Sequence, residues 1–322
     1  MAGNYKILFS DLDATLLNDK KEIEADTMAA IDRMLCQGYF FVACTGRPLA
    51  SARAVAKRYG LDRKGCYITA YNGGVIYDPS LDQMISYASI PLPVVHTMFA
   101  RAERVGLYIH TYDRTDDTVL SLRHTKELDV YMGHTGLEPK TGPKVLEQMT
   151  REPAKMIVIS LTDHERLEQF QKENAEWSKD VLNSFFSCEQ YLEYCPAGIS
   201  KGAAVENLCA YLKIPVEASV AAGDERNDIA MLKAAGVGAA VHNAHPLVKE
   251  AADYLCEKNH NEGAIGELIQ KFFLSGRCSN CVGAKHSSVF MNRHKSAWSF
   301  HILFRVCLKL NKISTGFITV SA

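Results

Sequence analysis

The chain has 322 residues, of which 47% are hydrophobic and 23% charged, and its formal net charge at pH 7 is −1. This composition is too apolar for a disordered chain, and the length is sufficient for two domains. A near-neutral charge argues against binding to nucleic acid over the whole surface, so no nucleic-acid partner is expected. No apolar window reaches the roughly 20 residues of a membrane span, and no signal peptide is recognisable. We therefore expect a cytoplasmic monomer or homodimer that does not contact a membrane.

The N-terminal part of the chain alternates buried strands with amphipathic helices. Residues 5–13 form an apolar run that ends in two aspartates, which is typical of a strand buried on both faces. A helix that ends at Gly38 leads to a second apolar strand, 39–44, and a helix that begins at Pro48 leads to a third strand and a Gly-rich turn at 66–74. This alternation predicts a parallel sheet.

The pattern changes at about residue 83 and returns at about residue 190. Between these points the sequence predicts short strands at 107–112, 118–122, 155–161 and 182–188 and helices near 93–105, 125–133 and 163–177. Afterwards it predicts helices at 200–213, 226–235 and 261–273 and strands at 220–224 and 237–241. We therefore predict a three-layer α/β/α, Rossmann-like core with a parallel sheet, formed by residues 1–82 and 190–273, and an inserted α+β cap domain at 83–189.

The C-terminal segment, 274–322, differs in composition from the rest of the chain. It contains seven Lys and Arg and no Asp or Glu, whereas residues 1–273 have a formal charge of −8. Such a segment is either a basic arm for nucleic acid or anionic lipid, or a weakly ordered extension with no part in the chemistry. Its apolar residues show no sustained period, which favours the second interpretation. Its CxxC pair, Cys278 and Cys281, lacks the second ligand pair of a typical zinc site.

Acidic side chains follow two of the predicted parallel strands. Asp11 and Asp13 come just after the first strand, and Asp224, Glu225 and Asp228 follow the strand that begins near residue 220. Parallel strands end at the same edge of a sheet, which is where open α/β sheets place their sites. A cluster of carboxylate oxygens without Cys or His suits Mg²⁺ better than zinc.

Two further motifs predict an anion site beside the metal. CTGRP ends the second strand and opens a helix, so the hydroxyl of Thr45 and the N–H of Gly46 can point at a bound anion. ISKG places Lys201 in the first turn of another helix, where a cation opposes the helix dipole unless an anion lies between them. The predicted pocket binds phosphate beside Mg²⁺.

In this order and at these intervals, DLDATLL, CTGRP, SKG and GDERND resemble the four motifs of the haloacid dehalogenase superfamily. The large insertion looks like the type II cap of its Cof-like hydrolases, and YNGGVIYD, EYCPAGISKG and HNAHPLVKEAADYL are also similar to Cof-like sequences. The resemblance covers about residues 5–273. Ala14 stands where many members of the family have glycine, and because alanine is small we expect little effect.

The resemblance implies a mechanism. Asp11 would attack phosphorus to form an aspartyl-phosphate, and Asp13 would protonate the leaving alkoxide and then deprotonate the attacking water. Mg²⁺ would be held by Asp11, Asp224 and the backbone carbonyl of Asp13. The remaining phosphoryl oxygens would be bound by Lys201, Thr45, Gly46, Asn227 and the N–H of Leu12. Asp228 is a secondary candidate that orients Lys201 or a metal-bound water, and Glu225 is another, unless it is only a solvated helix residue.

We therefore predict a Mg²⁺-dependent phosphatase that acts on a small phosphorylated metabolite, and the resemblance implies a sugar phosphate. A phosphomutase is the first alternative, because an aspartyl-phosphate can pass its phosphoryl group to another hydroxyl of the sugar. A non-catalytic ligand-binding member of the fold is the second.

Overall fold

The computed structural model describes residues 5–274, and within them the strands form two sheets. The strands, in chain order, are β1 (Ile7–Ser10), β2 (Phe40–Cys44), β3 (Cys66–Ala70), β4 (Val75–Asp78), β5 (Gln83–Tyr87), β6 (Tyr108–Tyr112), β7 (Val119–Ser121), β8 (Pro139–Thr141), β9 (Met156–Ile159), β10 (Leu182–Cys188), β11 (Tyr191–Pro196), β12 (Ser219–Gly223), β13 (Val237–Ala240) and β14 (Tyr254–Leu255).

The helices alternate with these strands along most of the chain. In chain order they are α1 (Ala25–Cys36), α2 (Leu49–Arg58), α3 (Leu92–Arg104), α4 (Lys126–Thr135), α5 (His164–Ser178), α6 (Lys201–Leu212), α7 (Ile229–Ala234), α8 (Pro246–Ala251) and α9 (Ala264–Phe272). Short 3-10 turns lie at Tyr71–Gly73, Val145–Gln148, Val216–Ala218 and Arg226–Asp228.

The larger sheet has eight strands in the order β14-β13-β12-β1-β2-β3-β4-β5. Its first six strands are parallel and the last two are antiparallel to their neighbours. Every residue of β1 and β12 is buried, as expected for central strands covered on both faces. Helix α1 packs against α9, and α6 packs against α7. The predicted parallel sheet is therefore present, with an antiparallel edge.

The smaller sheet has six strands in the order β10-β11-β9-β6-β7-β8, and all of its neighbours are antiparallel except β7 and β8. We call residues 88–196, which contain this sheet with α3, α4 and α5, the six-stranded layer, and the rest of residues 5–274 the eight-stranded layer. Alternate residues of β9 point to opposite sides of the sheet. Val158 packs with Phe99 and Leu167 of the helices, whereas Ile157 and Ile159 join the buried cluster of the eight-stranded layer. The two layers therefore share a core at their interface.

The structure differs from the sequence prediction at both ends of the insertion. Residues 83–87 form β5, which pairs with β4 in the larger sheet, and residues 191–196 form β11, which pairs with β10 and β9 in the smaller sheet. The chain therefore leaves the larger sheet after residue 87 and not after 82, and it leaves the smaller sheet after residue 196 and not before 190. The division into core and cap domains itself stays a prediction.

Some elements were not predicted, and one was predicted too long. Strands β4, β5, β8, β11 and β14 and helix α8 were missed. The helix expected at 226–235 is a 3-10 turn, Arg226–Asp228, followed by α7. A capping box between Glu225 and Asp228 holds this turn and explains the break. Apart from Leu274, the predicted extension and its CxxC pair lie outside the described residues. Within the described part of the chain, no helix is long and apolar enough to span a membrane.

Candidate active site

Three strands of the larger sheet end at the same edge, and each is followed by a predicted site residue. Ser10, the last residue of β1, is in register with Ala222 of β12 and with Ala43 of β2. The N–H of Asp11 donates to the carbonyl of Ala222 at 3.0 Å, which fixes the start of the following loop. Asp224 follows β12 and Thr45 follows β2, so all three residues lie at this edge.

Lys201 is the cationic centre of the site. It is the first residue of α6, it is 1% exposed, and its Nζ lies 2.6 Å from Oδ1 of Asp11 and 2.5 Å from Oδ1 of Asp228. Burial lowers the pKa of Lys201, but the two carboxylates outweigh burial and raise it well above its ordinary value of 10.5. The ammonium is therefore held charged. A Cβ at Gly202 would lie 2.5 Å from the carbonyl oxygen of Ala230, so only glycine allows α6 this close to α7.

Asp228 is fully buried and is held by the loop that follows β12. Its Oδ2 accepts hydrogen bonds from the N–H groups of Asp224 and Glu225, each at 3.0 Å. A Cβ at Gly223 would lie 2.4 Å from the side chain of Asp228, so glycine leaves room for this carboxylate. Glu225 caps the 3-10 turn and Thr15 donates to Oδ1 of Asp224 at 2.7 Å. Asp228 therefore contacts Lys201 directly, and which of its two expected roles it fills stays a prediction.

Asp11, Asp224 and Asp228 each offer an oxygen, and these three oxygens lie within 4.8 Å of one another. Burial and the neighbouring carboxylates raise the pKa of Asp11 well above 3.8, against the effect of Lys201. Burial, together with Asp228, raises the pKa of Asp224 to about 7. Three carboxylates beside one ammonium leave a formal charge of −2, so the residues present fit a divalent cation with hard oxygen ligands.

The side chain of Asp13 is not a member of that group. Arg47 contacts both of its oxygens, Nε and Nη2 each at 2.6 Å, and Lys21 Nζ lies 2.8 Å from Oδ1. Burial raises the pKa of Asp13, but the two cations outweigh it and lower the pKa to about 2. Asp13 is therefore a carboxylate at neutral pH. Arg47 belongs to the CTGRP motif but is not among the site residues that the sequence predicts.

The candidate phosphate-binding groups lie around the CTGRP loop. The N–H of Arg47 donates to Thr45 Oγ1 at 3.1 Å, so this hydroxyl keeps its own proton to donate. Asn227 donates from Nδ2 to Oδ1 of Asn72 at 3.1 Å, and a Cβ at Gly46 would lie 3.1 Å from the same atom. Leu12, which follows Asp11, is fully buried. Asn72 lies in the predicted Gly-rich turn and connects two of the predicted motifs, because its side chain accepts from Asn227 and its backbone N–H donates to the carbonyl of Thr45 at 3.0 Å.

The two layers contact each other through charged side chains close to these motifs. Lys155 and Glu193, which the sequence analysis missed, come from the six-stranded layer and reach Gly46 and Asn72. Asp117 comes from the same layer, and its oxygens accept from the hydroxyl of Tyr71 at 2.6 Å and the N–H of Ala50 at 2.5 Å. Charged residues beside apolar strands are common, so the sequence gives no reason to single out Lys155, Glu193 or Asp117 as contacts between the layers.

A mostly parallel sheet with aspartates and a buried lysine at its carboxyl edge, next to a second α+β layer, defines an enzyme of the α/β class whose site lies at strand ends. The family model for haloacid dehalogenase-like hydrolases matches residues 8–269. The chain belongs to this family. The expected resemblance is confirmed.

Curated relatives and solved structures agree with this assignment. The putative phosphatase YxeH of Bacillus subtilis is 27% identical over 271 residues, which is 82% of this chain and 98% of YxeH. A 5-amino-6-(5-phospho-D-ribitylamino)uracil phosphatase of the same species, YitU, is 26% identical over 274 residues, 82% of this chain and 96% of YitU. The expectation of a phosphatase-type hydrolase is confirmed at the level of enzyme class.

Two solved structures share the fold. A haloacid dehalogenase-like hydrolase from Bacteroides thetaiotaomicron is 29% identical with a TM-score of 0.75, covering 84% of this chain and all of that one. TM0651 from Thermotoga maritima is also 29% identical, with a TM-score of 0.70, covering 83% of this chain and 97% of its own. The predicted fold class, a three-layer α/β/α core with an inserted α+β unit, is confirmed.

Proposed function

We propose that this chain is a Mg²⁺-dependent phosphatase that hydrolyses small phosphomonoesters through an aspartyl-phosphate. The observation that supports this most strongly is the buried group in which Lys201 contacts both Asp11 and Asp228 while Asp224 lies beside them. A lysine between carboxylates stabilises an ionised nucleophile and then the phosphoryl oxygens that join it.

Asp11 is the nucleophile in this proposal. Lys201 holds Oδ1 at 2.6 Å, and among residues 5–274 no protein group donates a hydrogen bond to Oδ2. A carboxylate oxygen of Asp11 forms a bond to phosphorus as the bond from phosphorus to the alkoxide breaks. Water then attacks the aspartyl-phosphate and restores the carboxylate, so one difficult displacement becomes two.

Asp11, Asp224 and Asp228 are the side chains that would hold Mg²⁺, together with the backbone carbonyl of Asp13 that the family resemblance implies. When bound, the ion neutralises phosphoryl oxygens and lowers the repulsion between the anionic nucleophile and the anionic substrate.

Asp13 is the acid and base of the proposal. As a carboxylate it suits the removal of a proton from the attacking water. To protonate the leaving alkoxide it must first gain a proton, and its contacts with Arg47 and Lys21 oppose this. We infer that both contacts lengthen when substrate enters, because a phosphoryl group attracts the same two cations.

Five groups of the eight-stranded layer bind the phosphoryl oxygens: the ammonium of Lys201, the hydroxyl of Thr45, the N–H groups of Leu12 and Gly46, and the amide of Asn227. They are N–H and O–H donors, as a phosphoryl group requires. Glu225 is assigned to the 3-10 turn and not to substrate.

The six-stranded layer is the cap in this proposal. It excludes water from the phosphoenzyme and contacts the leaving group. Sugar and polyol phosphates are the first substrate class to test. The relatives YitU and YcsE, which are 26% and 28% identical, are named as phosphatases of a phospho-ribityl ester.

The test is the release of inorganic phosphate from a panel of sugar, polyol, nucleotide and cofactor phosphomonoesters, with Mg²⁺ and with EDTA. We expect Mg²⁺-dependent release that Asp11→Asn reduces by at least about 10⁴-fold, because the variant removes the nucleophile at constant volume. Asp26→Asn, an exposed aspartate on α1, is the matched control and retains full activity.

The panel also separates this proposal from its alternatives. Formation of a sugar-phosphate isomer without free phosphate would identify a mutase. Binding of a phosphate ester without any turnover by the folded protein would identify a non-catalytic member of the fold. Full activity of Asp11→Asn would exclude the covalent route.

A further inference from the structure

A chain of buried polar contacts runs from the six-stranded layer to the phosphate-binding loop. Lys155 Nζ donates to the carbonyl of Gly46 at 2.6 Å and lies 3.1 Å from Oε2 of Glu193. Asn72 Nδ2 lies 2.5 Å from the same oxygen, and Oδ1 of Asn72 accepts from Asn227 at 3.1 Å. Lys155 and Asn72 are 1% exposed and Glu193 is 4% exposed. We call Lys155, Glu193, Asn72 and Asn227 the interlayer network.

The network holds the CTGRP loop by its carbonyl groups. The backbone N–H of Asn72 donates to the carbonyl of Thr45 at 3.0 Å, and Lys155 holds the next carbonyl, that of Gly46. In a trans peptide the N–H points away from the C=O, so these contacts fix the directions of the N–H groups of Gly46 and Arg47. The N–H of Arg47 donates to Thr45 Oγ1, while that of Gly46 has no protein acceptor within residues 5–274.

The same network holds the side chain of Asn227. Asn72 is in the left-handed region, with φ 56° and ψ 33°, which asparagine tolerates better than most residues. Glu193 accepts from Nδ2 of Asn72 and so assigns its Oδ1 to face Asn227. Ser187 donates to the other oxygen of Glu193 at 2.8 Å, which fixes the carboxylate. The orientation of the Asn227 amide therefore depends on Glu193, a residue of the other layer.

We propose that Lys155 and Glu193 are positioning residues for phosphoryl binding: Lys155 orients the hydroxyl of Thr45 through the N–H of Arg47, and Glu193 orients the amide of Asn227 through Asn72. The proposal rests on the proposed phosphatase function, because it assigns these two donors to the phosphoryl group. A buried ion pair contributes little net stability compared with apolar residues of similar volume. The Lys155–Glu193 pair has a reason to lie between the layers if phosphoryl binding depends on the contact between the two layers.

The test compares Lys155→Met, Glu193→Gln and the double variant, using tungstate as a tetrahedral oxyanion. Tungstate affinity is measured by calorimetry with Mg²⁺ present, and the melting temperature of each variant is measured separately. We expect each single variant to bind tungstate about tenfold more weakly, because misdirected donors lose about one hydrogen bond. The melting temperature of each single variant is also lower than that of the unchanged protein, because each leaves a buried charge without its partner.

The double variant distinguishes positioning from a structural role. It removes both charges, so its melting temperature recovers towards that of the unchanged protein, but the carbonyl of Gly46 stays without its donor and tungstate binding stays about tenfold weaker. A merely structural pair would restore both quantities together. Normal tungstate affinity in the double variant, or its failure to fold, would overturn the proposal.

A second ion pair in the six-stranded layer is the matched control. Arg123 and Glu103 are 2.8 Å apart, and neither residue is in the interlayer network. Arg123→Met and Glu103→Gln are expected to leave tungstate affinity unchanged. Unchanged affinity in Lys155→Met and Glu193→Gln as well would overturn the positioning role alone. Absence of turnover by the unchanged protein would overturn the proposed function, and absence of tungstate binding by it would overturn both.

Discussion

Ala14 lies between the two aspartates of the first motif and Thr15, and its φ is 55°. This is the left-handed region, which glycine occupies freely and in which an alanine Cβ is crowded. The small size of alanine predicts little effect at this position. The backbone angle, and not the volume of the side chain, determines the effect here, and Asn243 holds the carbonyl of Ala14 at 2.8 Å in this conformation.

We predict that Ala14→Gly raises the free energy of unfolding by about 0.5–1 kcal/mol, because relief of the left-handed backbone outweighs the extra entropy of glycine in the unfolded chain. Urea unfolding measures the change. Ala29→Gly, on the exposed side of α1, is the control and lowers the same free energy by about 1 kcal/mol. A loss of stability in Ala14→Gly would contradict the assignment of strain.

Asp224 links metal binding to pH. Its pKa is raised from 3.8 to about 7, first by burial and then by Asp228. Without a cation the folded chain therefore keeps a proton that the unfolded chain releases, so the free energy of unfolding falls as pH rises between these two values. A cation bound beside Asp224 displaces that proton.

We predict that Mg²⁺ binding releases more protons at pH 6 than at pH 8. Titration calorimetry in buffers of different ionisation enthalpy counts the protons. Mg²⁺ also raises the melting temperature more at pH 8, because no proton then competes for the site. Equal proton release at both pH values would show that Asp224 is ionised before the cation binds.

At the scale of elements, the site depends on how closely α6 approaches α7. Lys201 begins α6 and Asp228 immediately precedes α7, so their 2.5 Å contact joins the two helix ends. Gly202 allows this approach, since a Cβ there would lie 2.5 Å from the carbonyl oxygen of Ala230. The position of the lysine is thus determined by backbone packing.

We predict that Gly202→Ala lowers the free energy of unfolding by about 1–3 kcal/mol through overpacking and lowers kcat more than it raises KM. Chemical unfolding and steady-state kinetics measure the two effects. Gly133→Ala is the matched control, because glycine 133 lies in α4 with open space at its Cβ and alanine favours the helix by about 1 kcal/mol. A Gly202→Ala variant with normal kcat would show that α6 can move without displacing Lys201.

The strands and helices that were predicted correctly have a clear hydrophobic period or an uninterrupted apolar run. The 66–70 and 219–223 strands are of this kind. The missed strand β5 has exposed residues at three of its five positions, so it has no apolar run to detect. β11 contains a buried glutamate, Glu193. In the sequence this charged residue interrupts the apolar run that would predict a buried strand.

At the scale of the whole molecule, the two layers are joined by buried charges as well as by apolar packing. Asp117 has a φ of 61° and is 8% exposed, and its carboxylate accepts hydrogen bonds from Tyr71 and Ala50 of the other layer. Burial raises the pKa of Asp117. The carboxylate thus binds the first turn of α2, directly after the CTGRP loop.

We predict that Asp117→Ala lowers the free energy of unfolding by about 2 kcal/mol, because it leaves the buried Tyr71 hydroxyl without an acceptor and removes the acceptor of the Ala50 N–H. Turnover also falls, because this contact holds the layers together beside the site. Asp116→Ala, an exposed neighbour in the same loop, is the control for both measurements. Equal behaviour of the two variants would show that the Asp117 contact is dispensable.

The residues of the four motifs could be predicted because each stands at a strand end or a helix start, where polar groups are conspicuous. The residues that join the layers could not, because Lys155 and Glu193 lie in ordinary strand contexts and their partners are far away in the chain. Asn72 and Glu193 are 121 positions apart. Only the folded arrangement of the two sheets brings such residues together.

The strand that bears Glu193 and the helix that begins at Lys201 are consecutive in the chain and are separated by residues 197–200. Four residues span at most about 14 Å. Asn183 of β10 also donates to the carbonyl of Ile199 at 3.0 Å, which fixes one residue of this connection and shortens its free part. A large rotation of the six-stranded layer would therefore also displace α6, the helix that carries the ammonium of Lys201. In the proposed mechanism this short link connects the layer that contacts the leaving group with the lysine that contacts the nucleophile, so we expect the two to move together.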